Sequence, residues 1–276
     1  MKAWIKRNLS NIILVSIFLI GLSLLLYPTF SDYWNSFHQS RAIASYAEAV
    51  AQVDDDTYVK MLEAARAYNE KLAGSEQSWT LSEEEREEYY ELLNVAGSGI
   101  MGYIEIPSIN VSLPIYHGVD EAVLQIAVGH IEGSSLPVGG LGSHCVLSGH
   151  RGLPSAKLFT NLDQLVEGDV FMIRVLDETL TYEVDQIRIV EPTDLSALER
   201  EDGKDYCTLV TCTPYGVNSH RLLVRGHRIE NLKESSSIRV TADATQIDPV
   251  IVAPVVAIPI LLLLLIWLLV YYRKRK

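Results

Sequence analysis

The pattern of apolar and polar positions divides the chain into membrane-like ends, a helical stretch and a strand-rich stretch. Asn11 to Tyr27 (NIILVSIFLIGLSLLLY) runs 17 residues without a charge, and Val250 to Tyr272 (VIVAPVVAIPILLLLLIWLLVYY) runs 23. At ~1.5 Å per helical residue the second exceeds a ~30 Å hydrocarbon core, and the first just crosses one. Within 36–73 the period is helical, with Ile43, Tyr46, Ala47 and Val50 at i, i+3, i+4 and i+7. Asp54 to Asp56 interrupts this run and can cap a second helix through Leu72, which Gly74 ends. Gly74 to Trp79 is a polar loop, and Ser82 with Glu85 forms a capping box that opens a third helix to about Asn94. From Gly99 the period becomes that of strands: MGYIEI, VSLPIY, HCVLSG, VFMIRVL, TLTYEVDQIRIV, DYCTLVTC and HRLLVRGHRIE, separated by turn-forming HGVD, EGSSLPVGGLG, EGD and LDET. EAVLQIA, SAKLFTNLDQL and TDLSALE read as short helical connections. Around seven or eight short strands with few long helices predict a mainly β fold, a closed barrel or a sandwich. Residues 233–247 form a polar tether to the second apolar run.

Charge gives these blocks a direction. Seven of the 23 basic residues lie at the ends (Lys2, Lys6, Arg7, Arg273, Lys274, Arg275 and Lys276), and no acid occurs in 1–31 or 249–276. Basic flanks stay cytoplasmic, so both termini are expected inside and the middle outside the cell. No small-x-small cleavage site follows the first run, where YPTFSDYW stands instead, so it reads as an uncleaved anchor rather than a signal peptide. Trp34, Trp267, Tyr271 and Tyr272 are expected near the interfaces. The 222 residues from Pro28 to Pro249 carry a net charge of −19, which repels phosphate backbones and excludes nucleic acid as a partner.

The candidate chemistry centres on cysteine. The chain has Cys145, Cys207 and Cys212, with no metal-ligand spacing among them and no cofactor motif. Cys145 and Cys207 lie inside apolar runs and read as buried packing residues, a disulfide between them being an open alternative. Cys212 ends a strand and precedes the loop TPYGVN, the kind of position at which a rigid scaffold presents a catalytic side chain. A thiol nucleophile needs a base or a cation beside it. His150 also stands where a strand enters a Gly/Pro loop, with His130 and His117 at turns as alternatives. An acyl-transfer oxyanion needs a fixed donor; Arg221 resumes the strand after the Cys212 loop, so a hairpin brings the two side by side. Arg225 and Arg228 are alternatives, the first farther from the loop and the second of opposite strand parity.

TLVTCTPYGVNSHRLLVRG (208–226), SGHRGLPSAKLF (148–159), HIEGSSLPVGG (130–140) and GYIEIPSINVSLPIYHG (102–118) together resemble the class C, pilin-assembling sortases. The resemblance covers roughly 99–232 and extends to the two membrane runs and the helical extension. It implies an eight-stranded β-barrel cysteine transpeptidase of a Gram-positive cell surface, with Cys212 as nucleophile, His150 as acid/base and Arg221 as oxyanion or substrate-orienting cation. The expected layout is a cytoplasmic 1–10, a transmembrane 11–27, an extracellular extension 28–98, a barrel 99–232, a tether 233–249, a transmembrane 250–272 and a basic tail 273–276. The expected partners are LPxTG-type pilin or surface-protein substrates and the membrane. The runner-up activities are a housekeeping sortase that anchors proteins to peptidoglycan and, more remotely, a non-catalytic surface domain on the same fold. Thr211, Tyr215 and Asn218 are expected to shape the site. Class C enzymes commonly carry an Asp-Pro-aromatic lid motif, which 29–100 lacks. In its place Trp79 is expected to fill the substrate groove, and Glu76 to pair with Arg221.

Overall fold

The computed structural model describes residues 2–95, 97–231 and 257–267. The chain forms two compact units, one of residues 1–34 with 236–276 and the other of 35–235. Helix α1, Lys2–Val50, includes the first apolar run and is long and apolar enough to cross a membrane. The second predicted span lies largely outside the described residues, of which Ala257–Trp267 is a shorter apolar helix; the tether and the basic tail lie outside them entirely.

Local sequence accounts for the helices of the extension. Helix α2, Asp55–Ala73, starts where the Asp54 carboxylate accepts from Thr57 N at 3.0 Å, which satisfies one of the orphan amides of the first turn. Helix α3, Glu83–Glu91, opens with the reciprocal Ser82–Glu85 capping box and ends sooner than expected, at the extended Leu92. The Tyr46 hydroxyl ties α1 to the barrel, donating to Met101 O at 2.9 Å and accepting from Leu176 N at 2.8 Å. Asn69 ties α2 by pairing both ways with the backbone of Leu136.

The barrel strands are β1 Ile100–Ile106, β2 Val111–His117, β3 Val128–His130, β4 Ser143–Ser148, β5 Val170–Val175, β6 Glu178–Val190, β7 Asp205–Thr213 and β8 His220–Ile229. They close in the order β1-β2-β3-β4-β7-β8-β6-β5, so no sheet edge is left open around the ring. β4 and β7 run parallel, while β7 and β8 form an antiparallel hairpin. β3 has three residues, too few for any alternation to show in the sequence. Of the expected helical connections, EAVLQIA yields α4, Glu121–Leu124. SAKLFTNLDQL and TDLSALE instead form turns with single 3-10 turns at Leu162–Gln164 and Ser196–Leu198.

Side-chain alternation sorts the two faces of the strands around the site. Cys145 and Leu147 of β4, Cys207 and Leu209 of β7, and Leu222 and Val224 of β8 point into the core. Val146, Val210 and Leu223 point to the other face, where they form a second apolar cluster with Leu198.

Candidate active site

The site is built on three neighbouring strands. Cys212 pairs with Arg221 in the β7–β8 hairpin. Ser148 pairs with Val210 on β4 and β7, and the pairing continues past the end of β4, where Gly149 N donates to Val210 O at 3.0 Å. Two residues beyond Ser148 and two beyond Val210, His150 comes level with Cys212. The parity of all three residues matches that of Val146, Val210 and Leu223, so Cys212, His150 and Arg221 share the outward face at one level of the barrel.

The supporting contacts come from the neighbouring residues. Thr211 is buried, and its hydroxyl donates to Gly149 O at 2.7 Å, tying the residue before Cys212 to the residue before His150. His150 Nε2 lies 4.0 Å from Glu121 Oε2 on α4 and has no hydrogen-bond partner among the described residues. The Arg221 guanidinium donates to the carbonyls of Asn218 at 3.3 Å and His220 at 3.1 Å and pairs with no carboxylate among the described residues. Asn218 supplies that acceptor from a left-handed turn conformation (φ 60°), which asparagine tolerates better than most residues. Tyr215, on the same loop, is exposed.

The structure separates these residues from the alternatives. Arg225 is held by Asp185 through two 3.0 Å bonds and lies 4.1 Å over the Tyr206 ring. Arg228 donates to the carbonyls of Thr181 and Ile229. His130 is fully buried, with its ring nitrogens bound to the Tyr89 hydroxyl and to Ser135 O. His117 is buried against the carbonyls of Gly99 and Leu92, and burial holds its imidazole below the usual value. All three cysteines are free thiols. Cys145 and Cys207 face each other in register inside the barrel, where burial pushes the Cys207 thiol well above its usual range and no peptide has access to either sulfur.

Segment 74–81 lies on the outer apolar cluster. Trp79 is half-buried there, against the cluster of Val146, Val210, Leu223 and Leu198, which Ile131 and Val190 also border. Val210 is two residues before Cys212 on the same face and Val190 pairs with Arg221, so this cluster starts about 7 Å from the nucleophile at ~3.4 Å per strand residue. The segment is held at both sides. Gln77 Nε2 donates to Gly133 O at 3.2 Å, and Arg200 Nη2 donates to Ser75 O at 3.1 Å. Gly133 permits the approach, since a Cβ there would come within 2.5 Å of Ser78 O. Glu76 is exposed and makes no ion pair with Arg221, whose guanidinium is turned to the carbonyls of its own hairpin.

Sequence reading did not single out Glu121 or Arg151. Glu121 reaches His150 only through the packing of α4, and nothing in its local sequence marks it. Arg151 adjoins His150, but an arginine at a loop start gives no sign of what it binds.

Comparison with known proteins identifies the family. A sortase domain model matches residues 104–229. Sortase D of Bacillus subtilis (strain 168) is 33% identical over 131 residues, which is 46% of this chain and 63% of that protein, so the chain spans under two thirds of this curated relative. The crystal structure of sortase C1 from Streptococcus agalactiae is 53% identical with a TM-score of 0.68, over 69% of this chain and 99% of that one. The crystal structure of Streptococcus pneumoniae sortase C, presented for its bearing on catalysis and pilin substrate specificity, is 42% identical with a TM-score of 0.61, over 69% and 97%. With half of all aligned positions shared across 99% of the chain in the sortase C1 structure, and the family match lying on the strands that carry Cys212 and Arg221, the chain belongs to the sortase family and groups with its class C members.

Proposed function

We propose that the protein is a membrane-anchored cysteine transpeptidase that cleaves an LPxTG-like sorting signal between Thr and Gly and joins the acyl group to an amine, a lysine of the next pilin subunit. The observation that carries the reading is the alignment of Cys212, His150 and Arg221 on one face of β4, β7 and β8. The Cys212 thiolate attacks the threonine carbonyl, and the C–N bond to glycine breaks as His150 gives a proton to the departing amine. Arg221, which carries no competing carboxylate among the described residues, steadies the oxyanion with nearby backbone N–H groups. The incoming amine then attacks the thioester, giving its proton to the His150 ring that lost one in the first step, and the C–S bond breaks as the Cys212 thiolate leaves. Thr211 and Asn218 act through Gly149 and Arg221 as positioning residues, and exposed Tyr215 borders the cleft. Class C relatives, one of them associated with pilin specificity, favour a pilin lysine over a cell-wall peptide as acceptor.

The same reading takes α1 and 250–272 as two membrane anchors with the barrel outside the cell, supported by the length of α1 and the basic ends of the chain. Segment 74–81 acts as a cover, with Trp79 on the apolar floor that a sorting signal would occupy.

The test is intact-mass measurement of the detergent-solubilised full chain after incubation with an LPxTG-type peptide and acid quenching. The wild type is expected to gain the acyl mass, and Cys212→Ala, which retains Cys145 and Cys207, to gain nothing. An adduct on Cys212→Ala would overturn the assignment.

A further inference from the structure

Thr211 and Thr213 of β7 face the side opposite to Cys212, and Gly149 and Arg151 flank His150 just past the end of β4. Thr211 and Gly149 are already joined there. One residue pair farther on, Arg151 Nη1 donates to the Thr213 hydroxyl at 3.3 Å, and Thr213 is buried. Arg151 Nη2 is ion-paired with Asp163, which anchors the arginine to its own β4–β5 loop. The Arg151 guanidinium also lies 5.9 Å from the Tyr215 ring centroid, within cation–π range. Next to it, Tyr215 sits so close on Gly152 that a Cβ there would be 2.9 Å from the ring. The Arg151 side chain is only 9% exposed, and its Nε is buried without a hydrogen-bond partner, so the two terminal nitrogens carry the polar bridge.

We infer that Arg151 is a positioning residue for the transpeptidation reaction: its guanidinium spans the loop after His150 and the loop after Cys212 and holds the two reacting side chains at one level. This rests on the assignment of Cys212 and His150 above. Neither catalytic side chain has its own tether across the two segments. Between them the described hydrogen bonds are the backbone bond at Gly149, the Thr211 bond and the Arg151 bridge; of these only the bridge lies beyond the reacting pair, where the packing of Tyr215 on Gly152 accompanies it. A planar guanidinium reaches two partners at once; a lysine ammonium on a flexible stem satisfies Asp163 or Thr213 in turn. Loss of the bridge leaves Cys212 and the substrate floor in place, so peptide binding persists and the proton transfer suffers. A misplacement of ~1 Å between reacting groups costs on the order of 10²-fold in rate.

The test uses the full chain in detergent, with Arg151→Ala, Arg151→Lys, Thr213→Val, and Arg66→Ala as a control that removes an exposed ion pair to Glu178 far from the machinery. Acylation by an LPxTG-type peptide is followed by intact mass across peptide concentrations, beside Cys212 alkylation by iodoacetamide and thermal melting. Arg151→Ala is expected to lose about 10- to 100-fold in kcat with KM changed less than about threefold. Arg151→Lys does not rescue it, added guanidinium ion restores part of the kcat of the alanine variant alone, Thr213→Val loses a smaller part, and Arg66→Ala matches wild type. Wild-type kcat in a folded Arg151→Ala overturns the inference, and so does a loss that only tracks the unfolded fraction. Should Arg151→Ala fail to fold, Thr213→Val decides: unchanged kcat overturns the bridge, and reduced kcat at unchanged KM supports it. If wild type forms no acyl-enzyme, the active-site assignment falls and this inference with it; if wild type acylates and Arg151→Ala does so equally, this inference alone falls.

Discussion

Replacing Trp79 with alanine tests whether segment 74–81 covers the cleft or merely packs against it. The indole is half-buried on the cluster of Val146, Val210, Leu223 and Leu198. Fully burying a large apolar side chain is worth ~1.5–3 kcal/mol, so half of that, about 0.8–1.5 kcal/mol, is at stake here. Two polar contacts remain in the variant, Gln77 with Gly133 and Arg200 with Ser75, each worth about 0.5–1.5 kcal/mol net. The indole is therefore a large share of what holds the segment down. A loss of 1.4 kcal/mol is a factor of ten, so the population with the segment lifted is expected to rise about 4- to 12-fold. The assay is the labelling rate of Cys212 by a bulky maleimide, read by intact mass; Cys145 and Cys207 are buried and do not compete. Labelling should accelerate by about that same 4- to 12-fold, while the melting temperature moves by less than about 3 °C, because a loop contact and not the barrel core is lost. Unchanged labelling together with a melting-temperature fall above about 5 °C would refute the reasoning and make Trp79 a packing residue.

Arg221→Ala should lose on the order of 10²–10³ in acylation rate with the fold intact. Arg225→Ala should instead lose about 1–3 kcal/mol of stability, because it strands Asp185, and keep most of its activity once folded; the reverse pattern would mean that the wrong arginine faces the substrate. A third expectation concerns pH. His144 is buried as a neutral ring whose Nδ1–H donates to Glu199 O at 2.9 Å and whose Nε2 accepts from the Thr208 hydroxyl at 2.7 Å, and burial lowers its pKa from 6.5. Its folded pKa lies below the unfolded value, so its contribution is fully present above 6.5 and is lost as pH falls towards the folded pKa. Denaturant midpoints at neutral and mildly acidic pH should therefore diverge less in His144→Gln than in wild type, and an identical divergence would remove His144 as a source of acid lability.

Much of the frame is local and was legible in the sequence. Asp54 caps α2 and the Ser82–Glu85 box opens α3 because a cap is satisfied within four residues of chain. Seven of the eight barrel strands are written in alternation, and hairpin geometry alone set Arg221 beside Cys212. The eighth, β3, is too short to alternate and exists only because β2 and β4 flank it. SAKLFTNLDQL carries a helical spacing, but Leu158 sits at a positive φ (39°) and Phe159 N donates to His150 O at 3.1 Å. A long-range contact outweighed a weak local preference there.

What the tertiary structure alone decided is the company each residue keeps. The parallel pairing of β4 with β7 joins segments 62 residues apart and sets His150, rather than His117 or His130, level with Cys212. The tertiary fold likewise committed Arg225 to Asp185, left Glu76 exposed and unpaired with Arg221, laid Trp79 on the outer cluster and aimed Arg151 at Thr213. The physical reason is one of range. Helix caps, turns and strand alternation are fixed by a few bonds along the backbone, so the sequence determined them by itself. Which distant strand lies alongside, and therefore which polar group finds a partner and which is left for chemistry, is fixed by the closure of the barrel and the burial it achieves.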